Sequence, residues 1–200
     1  MATINLILGG ARSGKSRFAQ QLAEKVGGDD VLFVATAQAD DGEMTRRIQK
    51  HRKSRPAGWE TLEVAHNVGK KLTERDKKNR VILIDCLVLL VSNVLLNQGD
   101  EPEPETAEQG MRTEVDLLLK ACRESAETVI IVSGEVGQGL VPDNPLGRLF
   151  RDLLGWANQR IAAEASAVYL LVAGYAVEVK SLARSVEQAA AECSSFSSPD

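Results

Sequence analysis

The sequence predicts an α/β fold in which a mostly parallel sheet is covered by helices on both faces. Short β-type runs recur along the chain, and helical patterns fill most of the intervals between them. Two of these runs, Val81–Ile84 and Val129–Val132, show no alternation with polar residues, which is typical of central strands buried on both faces. The predicted strands are Ile4–Leu8, Val31–Ala35, Val81–Ile84, Thr128–Val132 and Ala167–Val172.

A phosphate-binding loop directly follows the first predicted strand, and it fits the pattern G, four residues, G, K, S/T at every position. Glycines let successive backbone N–H groups wrap a phosphate. Lys15 brings a positive charge to the outer phosphates, and the Ser16 hydroxyl can take part in a magnesium site. The loop predicts a nucleoside triphosphate site formed by Gly9, Gly10, Ala11, Arg12, Ser13, Gly14, Lys15 and Ser16.

A helical pattern follows this loop, as a phosphate-binding loop requires. Phe18, Leu22 and Val26 recur every fourth residue on one face, and Gly27-Gly28 predict the end of the helix. The strand, loop and helix together make a chance match to the motif improbable. The later predicted helices extend from about Thr106 to Glu124 and from Leu146 to Ala165.

Asp85 ends the apolar run Val81–Ile84, at the carboxyl end of a predicted central strand. Enzymes with a phosphate-binding loop place an acidic residue there to hold Mg²⁺, directly or through water. An ionised carboxylate in this apolar setting is unfavourable unless it faces a cation or solvent. The alternative is that Asp85 caps the helix that begins after the strand. The presence of Lys15 in the same chain favours the magnesium role.

The stretch from residue 40 to 56 carries acids at its start and bases at its end, an arrangement that the helix dipole favours. A solvated surface helix ending before Pro56 explains this pattern. However, Arg47, His51 and Arg55 are spaced four apart on one helical face. The guanidinium groups would lower the pKa of the imidazole, keep it neutral and nucleophilic, and attract a polyphosphate. Both interpretations of His51 stay open at this point.

A Gly/Pro-rich loop leaves the run that ends at Val132 and extends to Pro145. Ligands of open α/β sheets bind beyond the carboxyl ends of the strands, so polar residues on this loop are candidates for substrate contacts. The glycines could instead serve only to form turns. The candidate residues are Glu135, Asp143 and Asn144.

The composition fits one globular domain over residues 1–180, followed by a C-terminal helix and frayed tail over residues 181–200. The net charge of −4 provides no basic field for nucleic acid. Three scattered cysteines form no disulfide framework, which favours the cytoplasm. The longest apolar stretch, Val81–Leu96, is interrupted by Asp85, Ser92 and Asn93, so we expect no membrane anchor.

These segments in this order resemble the bifunctional cobinamide kinase/cobinamide-phosphate guanylyltransferases of cobalamin biosynthesis. The phosphate-binding loop is a generic motif, whereas the histidine segment and the second glycine loop are specific. The segments that carry the resemblance are Gly9–Ser16, Ala35–Ala37, Asp41–His51, Arg55-Pro56, Trp59–Glu63, Asp85–Leu87, Ser92-Asn93, Glu135–Gly139, Val141–Asn144, Leu146–Arg148, Phe150–Asp152, Asn158-Gln159 and Ala173-Gly174.

The resemblance implies a RecA-like P-loop NTPase fold, homotrimeric assembly and two reactions that use Mg²⁺. ATP or GTP would phosphorylate the aminopropanol hydroxyl of adenosylcobinamide, and GTP would then give GMP to the resulting phosphate with release of pyrophosphate. His51 would carry GMP as a phosphoramidate. By the same resemblance, further contacts to the guanine nucleotide or its metal would come from Ala35, Thr36, Ala37, Arg52, Lys53, Ser54, Arg55, Glu63 and Asp85.

Two other functions are compatible with the phosphate-binding loop. A monofunctional small-molecule kinase would never form a covalent intermediate, so labelled GMP would not remain on the protein. A RecA-like nucleotide-binding regulatory module would hydrolyse nucleotide in response to a partner or DNA and would not turn over cobinamide. The chain has few aromatic residues with which to stack nucleic acid, since only 4% of its residues are aromatic.

Overall fold

The computed structural model describes residues 2–38, 42, 46, 49, 52, 55–99 and 101–195. The strands are β1 (Thr3–Gly9), β2 (Val31–Ala35), β3 (Glu60–Glu63), β4 (Asn79–Asp85), β5 (Ala126–Val132), β6 (Ala167–Val172) and β7 (Tyr175–Glu178). The helices described in full are α1 (Lys15–Gly27), α2 (Val68–Thr73), α3 (Leu87–Leu96), α4 (Pro104–Ser125), α5 (Pro145–Glu164) and α6 (Val186–Ser195).

The strands form one seven-stranded sheet in the order β3-β2-β4-β5-β1-β6-β7. All neighbours are parallel except β6 and β7, which form an antiparallel pair at one edge. The predicted mostly parallel sheet is therefore confirmed. Strand β1 leads into the phosphate-binding loop, and β4 ends at Asp85. Because β5 lies between β1 and β4, the segment that follows β5 leaves the sheet between this loop and Asp85.

Each central strand sends alternate side chains to two separate apolar cores, as its unbroken apolar sequence predicts. On one face, Ile7, Phe33 and Leu83 pack with Ala19 and Ala23 of α1. The opposite face is covered by residues from α2, α3, α4 and α5. Helices on both faces are thus confirmed. None of the helices in the described part of the chain has the length and apolarity needed to cross a bilayer.

Helix α1 approaches the sheet through small residues. Its most buried positions are Ala19, Ala23 and Gly27, while the predicted apolar residues flank this line and are partly buried. A Cβ atom at Gly27 would lie 2.8 Å from a methyl carbon of Val81. Gly27 is the last residue of the helix, and the absence of a side chain at this position permits the close packing. Gly28, with φ of 58°, is the C-cap residue that ends the helix.

Three short elements were not among the sequence predictions: β3, β7 and α2. Both strands are four-residue edge strands, and their half-exposed positions require no apolar run. Helix α2 is only six residues long. Its first N–H groups depend on a distant side chain, because the Glu114 carboxylate accepts hydrogen bonds of 2.8 Å from Asn67 N and Val68 N. Such a tertiary contact leaves no local pattern.

Glu178 at the end of β7 gives the fold a pH-dependent contribution. Its carboxylate accepts hydrogen bonds from Val168 N and from the Ser181 segment, which lower the pKa of Glu178 from 4.5 to about 2. Because the folded pKa is below the unfolded value, the stabilisation is present above pH 4.5 and is lost as the pH falls towards 2.

We therefore expect Glu178→Gln to lower the urea midpoint at pH 7 and to weaken its dependence on pH between 5 and 2. Circular dichroism at a series of pH values measures both quantities. Glu127→Gln is the matched control, since the Glu127 side chain is 79% exposed and lies 3.7 Å from Arg80. Identical pH profiles for Glu178→Gln and the wild type would contradict this role.

Candidate nucleotide-binding site

The phosphate-binding loop joins the end of β1 to the start of α1 and has the backbone conformation that its glycines predict. Gly9 and Gly14 have φ of 149° and 99°, values that side chains rarely permit. A Cβ at Gly9 would lie 2.5 Å from the carbonyl oxygen of Leu171. Gly14 precedes the first turn of α1, so free N–H groups and the positive end of the helix dipole converge here. This geometry suits a phosphate group.

The turn between β6 and β7 supports the phosphate-binding loop from one side. Gly174 N donates a 2.9 Å hydrogen bond to the Ser13 carbonyl. A Cβ at Gly14 would lie 3.3 Å from the Cα of Gly174, so the two backbones are nearly in contact. The Ser13 hydroxyl is buried and has no hydrogen-bond partner among the described residues. The loop is therefore shaped by a turn that is distant from it in sequence.

Lys15 lies half-buried at the start of α1, where its Nζ donates a 2.6 Å hydrogen bond to the Gly10 carbonyl. Burial lowers the pKa of Lys15 from its usual 10.5, and nearby negative charge opposes that shift. The neighbouring Cys86 thiol is neutral at pH 7, because burial raises its pKa to about 12. Asp85 also opposes the shift, which places Asp85 in electrostatic range of the loop lysine.

Asp85 is the last residue of β4, and Cys86, not Asp85, occupies the N-cap position of α3. The capping alternative for Asp85 is therefore wrong. Thr36 fixes the backbone here: Cys86 N donates to its hydroxyl at 2.9 Å, and that hydroxyl donates to the Cys86 carbonyl at 2.7 Å. These two hydrogen bonds join the ends of β2 and β4, and the Thr36 side chain that makes them is fully buried. Ala35 and Ala37 are the neighbours of Thr36 in sequence at the site.

Arg55 lies over the ring of Phe33, with 3.6 Å between its guanidinium carbon and the ring centroid. Burial lowers the pKa of Arg55 from its usual value, while the charges of Asp85 and Glu63 oppose that shift. Its Nε is buried and has no partner among the residues that the structure describes. Arg55 therefore offers a donor beside Asp85. No sequence pattern marks Phe33, which lies within the buried run of β2.

Arg52, which directly follows the predicted nucleophile His51 in sequence, also lies at this edge of the sheet. Arg52 has helical backbone conformation, and its Nε donates a 2.9 Å hydrogen bond to the Glu63 carboxylate at the end of β3. The structure thus brings Lys15, Asp85, Arg55 and the Arg52–Glu63 pair to the carboxyl edge of the sheet. Three predicted site residues lie outside the described residues: His51, Lys53 and Ser54.

The segment that follows β5, residues 133–144, is here called the β5 loop. Its three candidate side chains make contacts within the protein, and the longest is the 3.5 Å hydrogen bond that Asn144 Nδ2 donates to Asp143 Oδ1. Glu135 accepts a 2.6 Å hydrogen bond from Gly137 N, and Asn144 caps α5 through a 2.6 Å bond from Gly147 N. The sequence assigned no role to Asn158, whose buried amide contacts the Ser133 hydroxyl at 2.6 Å and the Gly134 carbonyl at 3.0 Å.

Of the described residues at this edge, Ser16 and Asp85 could supply a hydroxyl oxygen and a carboxylate oxygen to a magnesium ion. Both residues are partly exposed, at the first turn of α1 and at the end of β4. The described residues contain no group of three or more His, Cys, Asp or Glu that could hold a metal. This set still fits Mg²⁺, because that ion usually takes one or two protein ligands and completes its shell with phosphate oxygens and water.

Sequence comparisons relate this chain to known proteins. The family model described as cobinamide kinase / cobinamide phosphate guanyltransferase matches residues 5–179. The bifunctional adenosylcobalamin biosynthesis protein CobU of Salmonella typhimurium is 41% identical over 182 residues, covering 88% of this chain and 98% of that protein. CobU of Escherichia coli is 39% identical over 182 residues, with the same coverage of 88% and 98%. The corresponding protein CobP of Pseudomonas aeruginosa is 43% identical over 176 residues, covering 88% and 96%.

A solved structure of an ATPase domain is a more distant match. It has a TM-score of 0.49 and 16% sequence identity, over 84% of this chain and 68% of that chain.

Proposed function

Because this chain belongs to the cobinamide kinase / cobinamide phosphate guanyltransferase family, we propose that it catalyses two successive transfers to adenosylcobinamide. The first moves the γ-phosphoryl group of ATP or GTP to the aminopropanol hydroxyl. The second moves GMP from GTP to the new phosphate, giving adenosylcobinamide-GDP and pyrophosphate. Both steps are best supported by the observation that Lys15, Asp85 and Arg55 lie together at one edge of the sheet.

In the kinase step, the phosphate-binding loop holds the triphosphate and Lys15 neutralises its outer phosphates. The acceptor oxygen attacks the γ-phosphorus, the hydroxyl proton leaves, and the nucleoside diphosphate departs. Catalysis of this kind depends mainly on positioning and charge stabilisation. Ser16 and Asp85 would hold Mg²⁺, which supplies charge neutralisation when it is bound.

In the guanylyl step, a neutral His51 nitrogen attacks the α-phosphorus of GTP and pyrophosphate leaves. A phosphate oxygen of adenosylcobinamide phosphate then attacks the same phosphorus and displaces His51. Arg52, Lys53, Ser54 and Arg55 follow the nucleophile in sequence and contact the nucleotide. The placement of Arg55 supports this assignment, since its buried Nε lacks a partner among the described residues.

Further nucleotide contacts come from Ala35, Thr36, Ala37 and Glu63. The Thr36 hydroxyl is used within the protein, so the contribution of Thr36 is to shape the backbone of this segment. Glu63 positions Arg52 through their hydrogen bond. The enzyme acts in the cytoplasm and requires no nucleic acid.

Assays of the purified protein with cobinamide and with cobinamide phosphate, each supplied separately, test the two transfers. GTP labelled at the γ-phosphate should label the product from cobinamide, and GTP labelled at the α-phosphate should label the product from cobinamide phosphate. A kinase alone would transfer only the γ-label. Failure of both transfers would overturn the proposed function.

Asp85→Asn is expected to slow both transfers by at least about 10²-fold at limiting Mg²⁺, because it removes the anionic oxygen beside Lys15. The fold should persist, since the hydrogen bonds between Thr36 and this segment use backbone groups of Asp85 and Cys86. The Mg²⁺ concentration for half-maximal rate measures the effect. Asp116→Asn on α4, where the side chain is 58% exposed, is the control. Unchanged rates at limiting Mg²⁺ would remove Asp85 from the metal site.

The proposal also includes a homotrimer. Exposed apolar side chains on and near the β6–β7 edge support a contact between copies, although the number of copies comes from the family resemblance. Sedimentation equilibrium should give three times the chain mass of 21.6 kDa, and a monomer would contradict it. The side chains of this edge are Val172, Tyr175, Val177, Leu182 and Val186.

A further inference from the structure

The β5 loop occupies the place where an acceptor must approach the nucleotide. In the sheet, β5 lies between β1, which leads into the phosphate-binding loop, and β4, which ends at Asp85. The backbone continues this arrangement beyond the strands, because Glu135 N donates a 3.1 Å hydrogen bond to the Gly9 carbonyl. The β6–β7 edge lies on the other side of β1, away from Asp85.

The β5 loop is fixed at both ends. At its start, the Asn158 amide donates a 3.0 Å hydrogen bond to the Gly134 carbonyl. At its end, Arg148 Nη1 donates to the carbonyls of Pro142 and Asp143 at 3.0 and 2.7 Å. A loop whose ends are held in this way loses less conformational entropy when a ligand binds.

The middle of this anchored loop presents two aliphatic side chains to solvent. Leu140 is 96% exposed and Val141 is 64% exposed. Exposed aliphatic residues on a loop attached to a ligand site suggest that a ligand covers them. Leu140 is five residues after Glu135, a distance of at most about 18 Å at roughly 3.3–3.6 Å per residue. The pair therefore lies within this reach of the point where Glu135 N bonds to the phosphate-binding loop at Gly9.

This distance matches the chemistry of a corrinoid acceptor. Its reacting hydroxyl or phosphate is at the end of a flexible arm, and its macrocycle is a large ring that carries methyl groups beside its amide side chains. When the arm reaches the nucleotide, the macrocycle must rest beyond it. We propose that Leu140 and Val141 form the apolar contact for the corrinoid macrocycle in both transfers, an inference that rests on the proposed function.

Equilibrium dialysis with cobinamide, followed by its visible absorbance, tests the contact in the full-length protein. The double variant Leu140→Ser, Val141→Ser should raise the Kd for cobinamide by about tenfold or more, since losing the burial of one such side chain already corresponds to about a factor of ten. The Kd for GTP and the retention of labelled GMP should stay at wild-type values. Leu117→Ser on α4, where the residue is 44% exposed, is the matched control.

The possible outcomes separate this inference from the proposed function. If the wild type binds cobinamide no more tightly than the double variant does, the proposed contact is wrong. The proposed two-step activity would not be affected by this result. A wild type that neither binds nor converts cobinamide would overturn both. A double variant that alters the sedimentation of the protein while its Kd for cobinamide is unchanged would overturn the contact and make this surface a contact between subunits.

Discussion

Replacing His51 with alanine should abolish guanylyl transfer and leave the kinase step within about threefold of the wild type. The guanylyl step requires a nucleophile at the α-phosphorus, and removing a catalytic nucleophile typically lowers the rate by at least about 10³-fold. Attack of the acceptor hydroxyl on the γ-phosphorus needs no histidine. Incubation with GTP labelled at the α-phosphate measures the effect, since the wild type should retain acid-labile, alkali-stable label.

His66→Ala is the matched control, because His66 is the second of the two histidines in the sequence and is exposed. It should retain label as the wild type does, and GTP binding should be preserved in both variants. Undiminished labelling of His51→Ala would remove His51 from the mechanism. Equal loss of both transfers would instead indicate that the residue binds nucleotide.

Replacing Lys15 with alanine should weaken triphosphate binding and slow both transfers, because one loop serves the two reactions. Loss of a charge-assisted contact of about 1.5–3 kcal/mol corresponds to roughly a 10- to 150-fold rise in the Kd for GTP. Loss of charge stabilisation in the transition state should lower kcat by a further factor of about 10²–10³. Calorimetry of GTP binding and separate assays of the two steps measure these effects.

Lys25→Ala provides the control on the same helix, because Lys25 is exposed in the last turn of α1. It removes an equal charge far from the phosphate-binding loop and should change neither Kd nor kcat. A Lys15→Ala variant with unchanged affinity for GTP would contradict the assignment of the loop. Loss of the kinase step alone would show that the two reactions use different triphosphate sites.

The central sheet could be predicted because its strands need no tertiary information to be recognised. Val81–Ile84 and Val129–Val132 are continuous apolar runs, and their burial on both faces leaves no other arrangement for them. The edge strands β3 and β7 could not be predicted in this way, since β3 is mostly polar and β7 is a four-residue strand that is exposed over most of its length.

The candidate site likewise contains features that the sequence could predict and features that it could not. The phosphate-binding loop is local chemistry, in which eight consecutive residues specify both backbone shape and charge. Thr36 shows the opposite case, because the family resemblance implies a nucleotide contact for it, but no sequence pattern indicates that its hydroxyl joins two strand ends. That role depends on the pairing of β2 with β4, which brings together residues that are about 50 positions apart.

The sequence by itself determined the parallel α/β fold, the phosphate-binding loop, the position of Asp85 and the resemblance that singles out His51. These depend on residue type at fixed local spacing, which a linear pattern records. Only the tertiary structure decided that Arg55 lies over Phe33 beside Asp85, that Gly174 supports Ser13, and that the β5 loop leaves the sheet beside Gly9 and exposes Leu140. The support of Ser13 by Gly174 and the place of the β5 loop beside Gly9 arise from strand order, because β1 lies between β5 and β6, which are distant from it along the chain.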